Sequence, residues 1–84
     1  MNGGFIIAVW VDGSVDFFSD RRVGLFSAAD NGEAAKAFLV KCAQAASHDV
    51  DTFDKLKALE ATKPIAADLY VVDAVGAEAF GFAE

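Results

Sequence analysis

Cys42 and His48 are the only residues of their kinds in the chain, so a thiolate nucleophile with an imidazole base would have to be built from this pair. The spacing argues against it. Six residues apart at the end of an alanine-rich segment, the two do not share a helix face. Cys42 falls on an apolar stripe, where a thiol behaves as a small hydrophobe. His48 falls where that segment ends, a place that favours a cation. The run Asp49-Val50-Asp51-Thr52-Phe53-Asp54, with Glu60 beyond it, puts carboxylates at positions 1, 3 and 12 of a calcium-binding loop counted from Asp49. Position 5 is then Phe53, which cannot coordinate through its side chain, and position 6, normally glycine for a sharp turn, is Asp54. The same residues read well as a helix cap with acids in the first turn.

Carboxylate pairs for acid–base work come next. Asp16, Asp20, Asp68 and Asp73 can meet across a sheet, but thirteen acids in 84 residues bring such pairs together by chance. Asp73 stands out because its strand face is otherwise Leu69, Val71 and Val75. Gly3-Gly4 precedes a strand instead of leading from one into a helix, so it is no phosphate loop. No cysteine–histidine cluster has zinc spacing. Ser14, Ser19, Ser27 and Ser47 have turn or cap explanations, and Arg21-Arg22 reads as a solvated turn. The expectation is a protein that is not an enzyme and uses no cofactor and no metal.

The charge is −6, and it is uneven: residues 1–42 hold five acids and four bases, residues 43–84 eight acids and three bases. This balance argues against direct nucleic-acid binding, which draws on a basic patch. It favours a protein partner with a basic surface. The longest apolar run, Phe5 to Val11, is far short of the roughly 20 residues a membrane helix needs. The N-terminus has no basic start or small-residue cleavage site, and one cysteine allows no intrachain disulfide. A soluble, cytoplasmic protein with no membrane partner is expected.

Hydrophobic residues make up 55% of the chain, eight of them Phe, which suits a single small domain over 1–84. Phe5 to Val11 reads as a strand ending at Asp12-Gly13, a local hairpin signal. Ser14 to Ser19 would be the returning strand, and Val23 to Phe26 a short third one weakened by Gly24. A helix follows from Glu33 to about Ser47, capped by Ser27 or Asp30, with Ala35, Phe38, Leu39, Cys42 and Ala46 on one stripe. Asp51 or Thr52 caps a second helix, which Lys63-Pro64 stops. Leu69 to Val75 reads as a strand, Gly76-Ala77 as a turn, and Ala79 to Ala83 as its return.

The fold class is therefore α+β: an antiparallel sheet of four or five strands with two helices packed on one face, in the order ββ(β)ααββ. The first strand is apolar on both faces, with Phe5, Ile7, Val9 and Val11 opposite Ile6, Ala8 and Trp10. Two short helices cover one face of such a sheet. Either the sheet curls around its core, or an aromatic face stays open to a partner.

These features suggest a non-enzymatic interaction protein, an inhibitor that binds a protein partner, such as a nucleic-acid-binding effector complex, through an acidic and apolar surface. The residues expected to carry it are Asp49, Asp51, Asp54, Glu60, Asp68, Asp73, Glu78 and Trp10. In size, charge and architecture the chain resembles phage-encoded anti-CRISPR inhibitors, small acidic single-domain proteins without catalytic motifs. The resemblance implies a viral inhibitor. One version of the reading has the carboxylates stand in for phosphates in a basic groove; another uses a mixed apolar and acidic surface. One alternative is a self-associating module, a homodimer through a sheet face or edge. Another is a small-ligand-binding domain with its pocket between sheet and helices.

Overall fold

The computed structural model describes residues 4–13, 20–73 and 75. Three strands and two helices follow in the order β1 (Phe5–Asp12), β2 (Asp20–Ser27), α1 (Glu33–Ala45), α2 (Phe53–Glu60) and β3 (Ile65–Val72). Among the described residues the sheet is three-stranded and antiparallel, with β1 in the centre between β2 and β3. The expected class, an antiparallel sheet with two helices, is the one observed. The fourth and fifth strands are not seen among these residues.

The partner of β1 differs from expectation. Asp12 faces Asp20 and Phe5 faces Ser27, so β2 is the segment read as a polar turn and short third strand. Both edges of β1 are taken, by β2 and β3, over its full length. The expected returning strand, Ser14 to Ser19, lies outside the described residues. So do the Gly76-Ala77 turn and the Ala79 to Ala83 strand. β3 begins four residues before the expected Leu69, directly after Pro64, whose carbonyl accepts from the Gly13 N–H at 2.7 Å. It ends at Val72.

Gly24 does not weaken β2 so much as make room within it. A Cβ there would lie 2.7 Å from the Phe26 ring and 3.4 Å from that of Phe38. The bare glycine lets those two rings pack at 5.4 Å between centroids. Ser27 caps a single 3-10 turn (Ala28–Asp30), and Asp30 accepts from the Ala34 N–H at 2.9 Å, satisfying a free donor of the first turn of α1. The expected stripe of α1 is the buried one: Ala35, Leu39 and Cys42 are buried, Phe38 and Ala46 half-buried. Thr52 caps α2 by accepting from the Lys55 N–H at 3.2 Å.

Both helices pack on one face of the sheet. Ile6, Ala8 and Trp10 of β1, with Ile65 and Ala67 of β3, meet Leu39, Cys42 and Ala43 of α1 and Leu56 of α2. On the other face Ile7, between Leu25 and Tyr70 in register, is fully buried, and Phe5, Val9 and Val11 are half-buried. The centre of that face is therefore not the open apolar plane the sequence allowed. No helix among the described residues is long and apolar enough to cross a membrane.

Candidate interaction surface

Cys42 is buried in the core, and His48 turns away from it. Helix α1 ends with Ser47 in the left-handed conformation (φ 68°) and the His48 N–H donating to the Ala43 carbonyl at 2.9 Å. That reversal aims the His48 ring at the end of β1, where its Nε2 lies 3.1 Å from Oδ2 of Asp12. Asp12 is 1% exposed, the one charged residue among the buried groups described. The ring also meets Trp10 edge-on, at 6.0 Å between centroids. The chain's one imidazole thus ties the α1–α2 connection to β1. Sequence reading missed this pairing because Asp12-Gly13 so strongly resembles a turn.

Trp10 was expected at a partner surface. It is instead 0% exposed, at the centre of the helix-covered core. Its indole N–H finds no hydrogen-bond partner among the described residues.

Apart from Glu60, the acids named from the sequence divide into two groups. Asp49, Asp51 and Asp54 are exposed around the start of α2. Asp68 and Asp73 belong to β3 and the residue beyond it, and Glu78 lies outside the described residues. Asp68 faces Val9 in register, on the sheet face away from the helices. Lys55 lies 3.0 Å from Asp51, and its hydrogen bond and charge hold that carboxyl below the ordinary aspartate value. Among the described residues, no three of His, Cys, Asp and Glu come together to hold a metal ion. A groove of about 350 Å³ does exist, but it lies between the helices, lined by Lys36, Val40, Lys41, Gln44 and Phe53, and not between sheet and helices.

Glu60 does structural work of a specific kind. Its Oε2 accepts from the Ala67 N–H at 3.1 Å, and its Oε1 pairs with Lys57 at 2.6 Å. Lys57 in turn donates to the Ala67 carbonyl at 2.9 Å. Two side chains of α2 therefore take both main-chain groups of one β3 residue. Partial burial pushes the Glu60 carboxyl up, but the bonds from Lys57 and Ala67 outweigh it and leave the group below its ordinary 4.5. A carboxyl lowered by folding stabilises the protein above its unfolded pKa and loses that contribution as pH falls through the folded value. Urea unfolding followed from pH 6 to pH 3 should show stability falling below about pH 4.5. In Glu60→Gln that slope should be shallower. Equal slopes in the two proteins would show that the clamp contributes nothing.

The clamp also identifies which side of β3 each main-chain group faces. The Ala28 N–H donates to the Gly4 carbonyl at 3.1 Å, so Gly4, Ile6, Ala8, Trp10 and Asp12 bond towards β2. By the alternation of an antiparallel ladder, Phe5, Ile7, Val9 and Val11 then bond towards β3, to Val72, Tyr70, Asp68 and Ala66. The remaining β3 residues, Ile65, Ala67, Leu69 and Val71, present their N–H and C=O groups to the outer edge. Ile65 donates locally to the Lys63 carbonyl, and Ala67 is held by the clamp. Leu69 and Val71 have no such partner among the described residues.

This unclamped half of the edge carries the largest exposed apolar side chains described. Tyr70 is 48% exposed, Val71 78% and nearby Val75 73%. Asp68 precedes Tyr70, and Asp73 lies between Val71 and Val75. Sequence reading placed these residues on a strand but did not separate them from the core. The discriminating fact is where the cover ends: α2 is bonded to β3 at Ala67, Leu69 is half-buried against the core, and Val71 is exposed. No family model, curated protein or solved structure matches the chain.

Proposed function

We propose that this chain is a non-enzymatic interaction domain that acts by occupying the surface of another protein, and that it docks through the end of β3. The observation that carries this reading is the exposure of Tyr70 and Val71 on an edge strand, between Asp68 and Asp73, with Val75 exposed just beyond. Large apolar side chains left in water next to acids fit a partner whose apolar patch is ringed by Lys and Arg. A protein of charge −6 meets such a surface faster and excludes acidic competitors. A nucleic-acid-binding effector has a basic surface of this kind, so inhibition of one is the role these features suit. Asp49, Asp51 and Asp54 would then serve encounter and not the anchor, since they lie on the α2 side of the molecule.

Tagged protein should capture a nucleic-acid-binding complex from lysate at low salt and release it at high salt or with excess DNA. The double variant Tyr70→Ser, Val71→Lys should weaken capture by about ten-fold or more, the effect of losing a buried apolar anchor. Surface changes of this kind leave stability within about 0.5 kcal/mol, so its urea midpoint should match that of the parent. Capture unaffected by the double variant sinks the assignment of the surface. A second reading, self-association through the same edge, is favoured by its open main-chain groups. It predicts a mass in light scattering that doubles with concentration and returns to the monomer value in the double variant.

A further inference from the structure

Resting on that reading, we infer that docking occurs by strand addition: an extended segment of a partner, apolar and basic in alternation, pairs with β3 through the N–H and C=O groups of Leu69 and Val71. An exposed sheet edge is a template for another strand, and natural proteins blunt it with charges, bulges or covering elements. Here the blunting is partial. Lys57 and Glu60 reach from α2 to close the edge at Ala67, and nothing comparable among the described residues closes it at Leu69 and Val71. Two unclamped residues spaced by two along an antiparallel edge present up to four main-chain groups, a short ladder in the manner of peptide recognition by strand addition.

The side chains define the occupant. On one face a paired strand runs beside Asp68 and Tyr70, on the other beside Leu69 and Val71. A Lys or Arg of the incoming strand meets Asp68, and aliphatic side chains cover Tyr70 or Val71. The chain's −6 charge disfavours a second copy of itself and favours a basic strand.

The edge geometry permits a test that separates main-chain pairing from side-chain contact. Proline removes one N–H, and on an outward-facing edge position that N–H carries no ladder bond, so the fold tolerates it. Val71→Pro should therefore keep the parent's circular dichroism and urea midpoint. Val71→Thr keeps the N–H and serves as the control. The probe is an acetylated, amidated octapeptide of alternating Lys and Val, with a Glu/Val octapeptide of the same length for comparison. In the free protein the amides of Leu69 and Val71 should exchange with deuterium fast, while those of Tyr70 and Val72, bonded to β1, exchange slowly. Saturating Lys/Val peptide should slow the Leu69 and Val71 amides selectively. The Glu/Val peptide and Val71→Pro should each bind about ten-fold more weakly, whereas Val71→Thr stays within about two-fold of the parent.

Slow exchange of Leu69 and Val71 in the free monomer would overturn the inference, because the edge would then be closed by the chain itself. Slow exchange that appears only as the mass doubles would also overturn it, in favour of a second copy as the occupant. Equal binding by Val71→Pro and parent, or no peptide binding, would show that any docking here uses side chains alone. The broader reading under Proposed function would survive that result and fails separately, on the lysate capture by the Tyr70→Ser, Val71→Lys variant.

Discussion

Trp10→Ala should cost the protein about 3–5 kcal/mol of stability. Trp10 is fully buried at the middle of the central strand, packed in one cluster with residues from both helices and from β3. Truncating a buried Trp or Phe to alanine costs about 3–5 kcal/mol in transfer and cavity terms. A domain of this length has a total stability of about 4–13 kcal/mol at the usual value per residue. The substitution thus removes between about a quarter of the stability and all of it. The more informative variant is Trp10→Phe. The smaller ring leaves part of the cavity, but it also removes an indole N–H that is buried without a partner, and an unmet buried donor costs about 1–3 kcal/mol. Urea unfolding should place Trp10→Phe within about 1.5 kcal/mol of the parent, far above Trp10→Ala. If Trp10→Phe is as damaging as Trp10→Ala, the N–H is satisfied in solution, and the ring's polar edge holds a hydrogen bond worth keeping.

His48→Ala should cost about 2–3 kcal/mol, more than its place in a connection between helices would suggest. The side chains of Asp12 and His48 are 2% and 12% exposed, with 3.1 Å between Nε2 and Oδ2. Removing the imidazole takes one partner from a buried carboxylate and opens a path for water beside Trp10. Asp12 has a further interaction besides this one, which keeps the loss below that of a fully orphaned charge. Combining His48→Ala with Asp12→Asn should recover part of the loss, because the neutral amide is cheaper to bury than the carboxylate. A double-mutant cycle by urea unfolding should return a coupling above about 1 kcal/mol. Additive costs would mean that the two side chains stabilise the fold independently and that the 3.1 Å contact contributes nothing of its own.

The helix-covered core includes both of these sites, and the proposed interaction surface lies where that cover ends. Lys57 and Glu60 extend the cover to one β3 residue and hold its edge closed. Three residues on, Tyr70 and its neighbour Val71 are exposed.

Several elements were legible because their signals are local. The apolar run from Phe5 marked the central strand, since only a strand covered on both sides carries hydrophobes on both faces. The stripe of Ala35, Phe38, Leu39, Cys42 and Ala46 marked α1 and its buried side, and Thr52 marked the start of α2. These depend on periodicity and on caps, which neighbouring residues decide among themselves. The α+β class follows from them.

What only the tertiary structure decided is pairing and exposure. Asp12-Gly13 looks like a tight hairpin turn, yet β1 takes Asp20–Ser27 on one edge and Ile65–Val72 on the other. Register is set by burying Trp10 and Ala67 opposite one another under the helices, a constraint spanning more than fifty residues that no local window contains. Asp12 and His48, 36 residues apart, meet for the same reason. Trp10 could be read as core or interface until the helix face was known, and a place on an apolar strand did not foretell the exposure of Val71. Residue type determines how much burial or pairing a side chain needs. Whether the chain itself or a partner meets that need depends on which surfaces the folded elements leave uncovered.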